Sequence, residues 1–191
     1  MSKIVINIKV VDYKETEIDG CLFRCYKSGR VERQLMATNF RYGKEGDWIR
    51  CDNNKPRYDK RSDRYNIQIG VNEKHYMLHR LVYYAFNPTF DFYNPKIMID
   101  HINRDSLDNR IANLREATSG ENQCNKKVQK NSKLGIKNIR DRENCWRVTI
   151  KKDRQIVVCR SFSKYLFTLD DVIRFRNDKL LLHHKEFANI D

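Results

Sequence analysis

The stretch from Lys96 to Asn122 constrains the fold of this chain more than any other. A short apolar run, Lys96 to Asp100, reads as a strand that presents Asp100 and His101 at its end. Ser119-Gly120-Glu121 opens a helix that carries Asn122. Asn113 stands twelve residues after the histidine, and Asn122 twenty-one after it. Asp100 is a hard carboxylate and Asn122 offers an amide carbonyl, and both suit Mg²⁺ or Mn²⁺, which keep waters and take phosphate oxygens as further ligands. A neutral imidazole at His101 can take a proton near pH 7, provided something holds it in one tautomer. Seen singly, Asp100 reads as a turn cap, His101 as a buried and satisfied histidine, Asn113 as a backbone cap before Leu114, and Asn122 as a polar residue at a helix start. At this joint spacing they offer a cation site, a base and a group to aim the base, which is what hydrolysis of a phosphodiester requires.

The flanking pattern is one of short elements. Residues 3–11 alternate weakly and read as a strand, and Gly20 and Gly29 punctuate strand-like pieces such as Leu22-Phe23-Arg24-Cys25-Tyr26. Residues 41–64 are polar, with Gly43, Gly46 and Pro56, and read as loop-rich. Tyr65 to Met77 reads as a hairpin turning at Gly70 to Glu73. Leu78, Leu81, Val82 and Ala85 recur at helical spacing, and Asn87-Pro88 stops that helix. Lys126 to Lys133 is a basic linker. Beyond it a strand begins at Leu134, a second runs over Cys145 to Lys151, and a third over Gln155 to Phe162 after a turn at Asp153. Thr168-Leu169-Asp170-Asp171 starts a helix with a threonine cap and acids where the dipole favours them.

Charge is the second constraint. The chain carries a net +13, and residues 126–160 hold twelve Lys or Arg against three acids. A positive charge so concentrated is a binding face for a polyanion or a disordered tail, and the interleaved Trp146, Val148 and Ile150 argue against a tail. On Cys145 to Lys151, Trp146, Val148 and Ile150 point one way, toward the predicted helix, and Arg147, Thr149 and Lys151 point the other. With Lys137, Arg140, Arg142 and Arg160 the second face is suited to a DNA groove. The six cysteines are scattered without a CxxC pair. Cys21 and Cys25 are spaced like half a zinc site, but no second pair matches them, so no zinc is expected and free thiols in a reducing, cytoplasmic compartment are. No segment resembles a signal peptide or a membrane span.

Leu78-His79-Arg80-Leu81-Val82-Tyr83-Tyr84-Ala85-Phe86-Asn87-Pro88, then Asp100-His101, then Asn109-Arg110-Ile111-Ala112-Asn113-Leu114-Arg115, then Glu121-Asn122, resembles the HNH nuclease family, closest to its phage-type homing endonucleases. The resemblance runs over residues 62–125. It implies a ββα-metal core around one divalent ion, Mg²⁺ with Mn²⁺ as an alternative, on Asp100 and Asn122. His101 is then the general base, Asn113 the residue that orients it, and Arg80 a phosphate contact, although Arg80 reads equally as a solvated side chain. A second resemblance rests on Gly135-Ile136, Trp146, Phe162 and Ala188-Asn189. Residues 134–191 are similar to the plant ethylene-response-factor DNA-binding domain, which also follows HNH domains in phage and viral homing endonucleases. Arg160 stands where that family has a glycine, and the helix is more charged.

The expected class is therefore α+β: a strand-rich segment over residues 1–61 with possible DNA contacts, an HNH core over 62–125, a linker over 126–133, and a three-stranded sheet packed on one helix over 134–191. The implied function is site-specific hydrolysis of double-stranded DNA by a protein that can act as a monomer. The rival reading is a non-catalytic DNA-binding regulator that uses only the C-terminal sheet.

Overall fold

The computed structural model describes residues 12–39, 41–60, 62–128 and 132–190. The strand expected at residues 3–11 lies outside the described residues. The chain divides into two units, residues 1–94 with 105–115, and residues 95–104 with 116–191.

In the first unit β1 (Tyr13–Ile18), β2 (Cys21–Tyr26), β3 (Val31–Gln34) and β4 (Trp48–Arg50) form an antiparallel sheet in sequence order. Asp19 and Gly20 join β1 to β2 at φ 48° and 78°, the left-handed pair whose twist matches the flanking strands. Along β2 the burial alternates, with Cys21, Phe23 and Cys25 inside. Arg24 lies on the other side and stacks 3.8 Å from the Trp48 ring centre. Two hairpins follow: β5 (Arg57–Asp59) with β6 (Arg64–Asn66), and β7 (Gln68–Val71) with β8 (Lys74–Met77). The second turns at Asn72-Glu73 alone, at φ 45° and 66°, and Gly70 stays within β7. The turn is shorter than the expected Gly70 to Glu73, because Gly70 pairs with His75 in the ladder and asparagine itself tolerates the left-handed region.

β8 runs directly into α1 (Leu78–Phe86), which packs on β1 and β2 and buries Leu78, Leu81 and Val82. The helix stops where the sequence predicted: the Asn87 N–H returns to the carbonyls of Tyr83 and Tyr84, just before Pro88. Cys25 lies beneath this helix, its Sγ 3.8 Å from the Leu81 carbonyl, and burial pushes its thiol far above the usual range. Cys21 and Cys25 are thus side chains of an apolar core. Gly29, at φ 86°, closes the β2–β3 turn, and a Cβ there would stand 2.7 Å from the carbonyl carbon of Asn109. The loop that holds Asn109 therefore rests on this turn, and the Ile111 N–H bonds the Lys27 carbonyl beside it at 3.0 Å.

In the second unit β9 (Met98–His101) pairs with β10 (Leu114–Ala117), the strand along which the chain re-enters this unit. α2 (Ser119–Asn125) follows at once. β11 (Ile139–Asp141), β12 (Cys145–Lys152) and β13 (Gln155–Ser163) form an antiparallel sheet in that order, and α3 (Leu169–His184) covers one face. The first strand starts at Ile139 and not at Leu134, because Gly135 and Asn138 take φ 64° and 68° and break the extended backbone. The core joins Ile139, Val148, Ile150 and Phe162 of the sheet to Val172 and Leu180 of α3, with Trp146 packed at its margin. Both faces of β12 are disposed as the alternation predicted. Among the described residues no helix is long and apolar enough to cross a membrane.

Candidate active site

Asp100 and His101 close β9 and are 2% and 4% exposed. The short helix beside them starts at Ser119, as the sequence predicts, behind a cap at Thr118. Thr118 accepts the Glu121 N–H on its hydroxyl at 3.2 Å, and the Glu121 carboxylate accepts the Thr118 N–H at 2.8 Å. This reciprocal cap satisfies two of the donors that a helix leaves open at its amino end. It also fixes the phase of the helix, so that Asn122 and Asn125, three residues apart, share one face.

Asn125 binds that face to the strand. Its Nδ2 lies 3.2 and 2.9 Å from the two carboxylate oxygens of Asp100 and 2.9 Å from the His101 carbonyl. Sequence reasoning passed over Asn125, although the i, i+3 relation to Asn122 was a usable signal. The Asn122 Nδ2 faces the Met98 Sδ on the same strand at 3.7 Å. The Asn122 Oδ1 is buried and has no hydrogen-bond partner among the described residues.

That orphaned oxygen tests whether a cation fits. A buried carbonyl left without a donor costs about 1–3 kcal/mol. A hard divalent ion satisfies such an oxygen, and Asp100 on the neighbouring strand supplies charge. Among the described residues no three His, Cys, Asp or Glu side chains converge as a metal cage. A set of one carboxylate and one amide oxygen instead suits an ion that keeps waters and takes substrate phosphate oxygens, the habit of Mg²⁺. The residues present therefore fit a divalent cation.

The other expected site residues are placed as follows. Asn113 belongs to the first unit, is buried, and donates from Nδ2 to the Asp108 carbonyl at 2.8 Å. Arg80, also in the first unit, departs from the reading as a free phosphate contact. Its guanidinium donates to the carbonyls of Asp91, Phe92 and Asn94 at 3.2, 2.6 and 3.1 Å and ties that loop to α1.

On the C-terminal sheet, Arg147, Thr149 and Lys151 lie opposite the core face of β12. Arg140 pairs with Arg147 and shares their side. Arg142 is exposed in the β11–β12 turn. Arg147 also reaches the exposed Cys159, 3.1 Å from its sulfur, and this hydrogen bond holds the Cys159 thiol below its ordinary range. Two expected members of this face sit elsewhere. Arg160 pairs with Val148 and so belongs to the helix side, where its guanidinium lies 4.9 and 5.2 Å from the ring centres of Phe162 and Phe175. Lys137 is turned to the carboxyl end of α2, with Nζ 3.1, 2.7 and 2.7 Å from the carbonyls of Gln123, Cys124 and Lys126. Burial pushes its ammonium down to about 8.

Residues 76–124 match the HNH endonuclease family model, a span that contains Asp100, His101, Asn113 and Asn122 and ends one residue before Asn125. No curated protein matches the chain. Among solved structures the chain is similar to one described as "DNA binding and cleavage by the HNH homing endonuclease I-HmuI", at 18% identity over 90% of this chain and 91% of that one, with a TM-score of 0.38.

Proposed function

We propose that this protein is a divalent-metal-dependent HNH endonuclease of the homing type, which hydrolyses phosphodiester bonds at a specific site in double-stranded DNA. One observation carries the reading: within a segment that matches the HNH endonuclease family, the buried Oδ1 of Asn122 has no partner among the described residues, on a helix bonded through Asn125 to Asp100. Asp100 and Asn122 would hold the ion, with Mg²⁺ as its first identity and Mn²⁺ as a substitute. When bound, such an ion stabilises the charge that develops on the phosphate and leaving oxygens.

His101 takes the proton of the attacking water. It follows Asp100 directly at the end of β9, and both residues are buried. For Asn113 the family resemblance implies the orienting role. Arg140, Arg142, Arg147, Thr149 and Lys151 form the DNA-reading surface of the C-terminal sheet, and its three strands and one helix support the ethylene-response-factor-like reading.

The test is cleavage of supercoiled plasmid and genomic DNA with Mg²⁺ or with chelator, followed by mapping of the ends. His101→Ala should lower the cleavage rate by about 10²–10⁴, the usual contribution of a general base, with DNA affinity unchanged. Near-normal cleavage by His101→Ala, under conditions where chelator stops the wild type, would overturn the assignment.

A further inference from the structure

We propose that Lys137 is a positioning residue of this metal site: its ammonium fixes the carboxyl end of α2, and thereby holds Asn122 and Asn125 in register with Asp100. The inference rests on the metal-dependent reading above and deepens it. α2 has seven residues, and a helix so short is marginal by itself in water. At its carboxyl end the Gln123 carbonyl receives the Lys126 N–H at a long 3.3 Å, and a cation there also meets the negative end of the dipole. The carbonyls of Gln123 and Cys124 in the last turn, and that of Lys126 at the cap, are met by the one ammonium of Lys137. Cys124 and Lys126 bracket Asn125, the residue whose amide holds the Asp100 carboxylate. The chain of contact therefore runs from Lys137 through the backbone on either side of Asn125 to the proposed ligand.

A second tie converges on the same point. Asn189 Nδ2 donates to the Lys126 carbonyl at 2.9 Å, and Nη1 of the buried Arg176 on α3 donates to the Asn189 carbonyl at 3.3 Å. Lys137 itself lies just before β11, the first strand of the basic sheet. The segment that leads into the proposed DNA-reading surface is thus the one that clamps the metal helix.

The experiment uses the full chain with Mn²⁺ as probe, counting the free ion by electron paramagnetic resonance and following amide hydrogen exchange by mass spectrometry. Lys137→Met should raise the Mn²⁺ dissociation constant by about tenfold or more, the usual effect of removing a group that orients a ligand. Exchange should quicken over residues 119–126, protection of β12 should persist, and DNA affinity should hold. Lys137→Arg, which restores a cation, should recover part of the Mn²⁺ affinity. Unchanged Mn²⁺ affinity in Lys137→Met, whether or not residues 119–126 loosen, overturns the inference. If Lys137→Met instead loses β12 protection, Asn189→Ala decides: it removes one bond to Lys126, and an unchanged Mn²⁺ affinity there overturns the inference as well. A wild type that binds no Mn²⁺ with or without DNA refutes the metal-site reading itself, which separates the two failures.

Discussion

The two asparagines of α2 should respond oppositely to metal and to denaturant. Asn125→Ala removes the amide that donates to both oxygens of Asp100, a side chain only 2% exposed, and to the His101 carbonyl. A bond to a buried charged group is worth about 1.5–3 kcal/mol and a neutral one about 1, so the loss comes to about 3 kcal/mol. With a urea slope of about 2 kcal/mol/M for a small protein, the unfolding midpoint should fall by about 1.5 M. Asn122→Ala, by contrast, deletes an oxygen without a partner and a weak contact to Met98, so with chelator present it should cost under about 1 kcal/mol or stabilise. The assay follows Trp146 emission, in the background Trp48→Phe, because Trp48 and Trp146 are the two tryptophans and lie one in each unit. With metal the order should reverse for function: Asn122→Ala should raise the half-saturating Mg²⁺ of cleavage most. Equal loss of midpoint in chelator by both variants, or none with Asn125→Ala, would refute the reasoning.

Gly29→Ala must place a Cβ 2.7 Å from the Asn109 backbone at a left-handed φ, so the first unit should lose more than about 1–2 kcal/mol, read from the urea midpoint of Trp48 emission. His184 is held below its ordinary value of 6.5 chiefly by burial, so the unfolded chain binds its proton first as the pH falls. Stability from this group is therefore complete above about 6.5 and lost below it, and His184→Gln should flatten that acid-side loss in urea midpoints measured across the window. Arg147→Ala with Lys151→Ala should reduce the slope of log affinity for DNA against log salt by about 2, since each lost phosphate contact removes about 0.9. Arg160→Ala should leave that slope unchanged, because its side chain belongs to the helix side of the sheet.

Periodicity made much of this legible. Helical spacing over Leu78 to Phe86 and the alternation of Trp146, Val148 and Ile150 each answer to one local repeat, and both elements fold as that repeat demands. Arg160 was open to the same logic: it stands two residues from Phe162, a core residue, and period two puts both on one side of β13. The start of α2 at Ser119 was legible in Ser119-Gly120-Glu121, and its cap at Thr118 stands one residue before them. The roles of Lys137 and Arg80 were not legible at all. Each donates to carbonyls 11 to 14 residues away in sequence, and no residue type marks which carbonyls a fold will leave open.

The unpartnered Asn122 oxygen is best understood through the bonds around it. A seven-residue helix with a buried orphan acceptor would ordinarily relax, by fraying or by turning the amide to water. Here Thr118 and Glu121 fasten its start, Lys137 fastens its end, and Asn125 joins its face to β9. Each of these bonds satisfies a backbone or carboxylate group, so together they outweigh the cost of the one oxygen they leave bare. That is the arrangement a cation site requires before the ion arrives: donors held in place by other side chains, and a ligand oxygen with nothing else to bind. The basic sheet and α2 also occupy one unit. The segment that brings Lys137 to α2 continues directly into β11, so if α2 holds an ion as proposed, the sheet proposed to meet the DNA would also brace that helix.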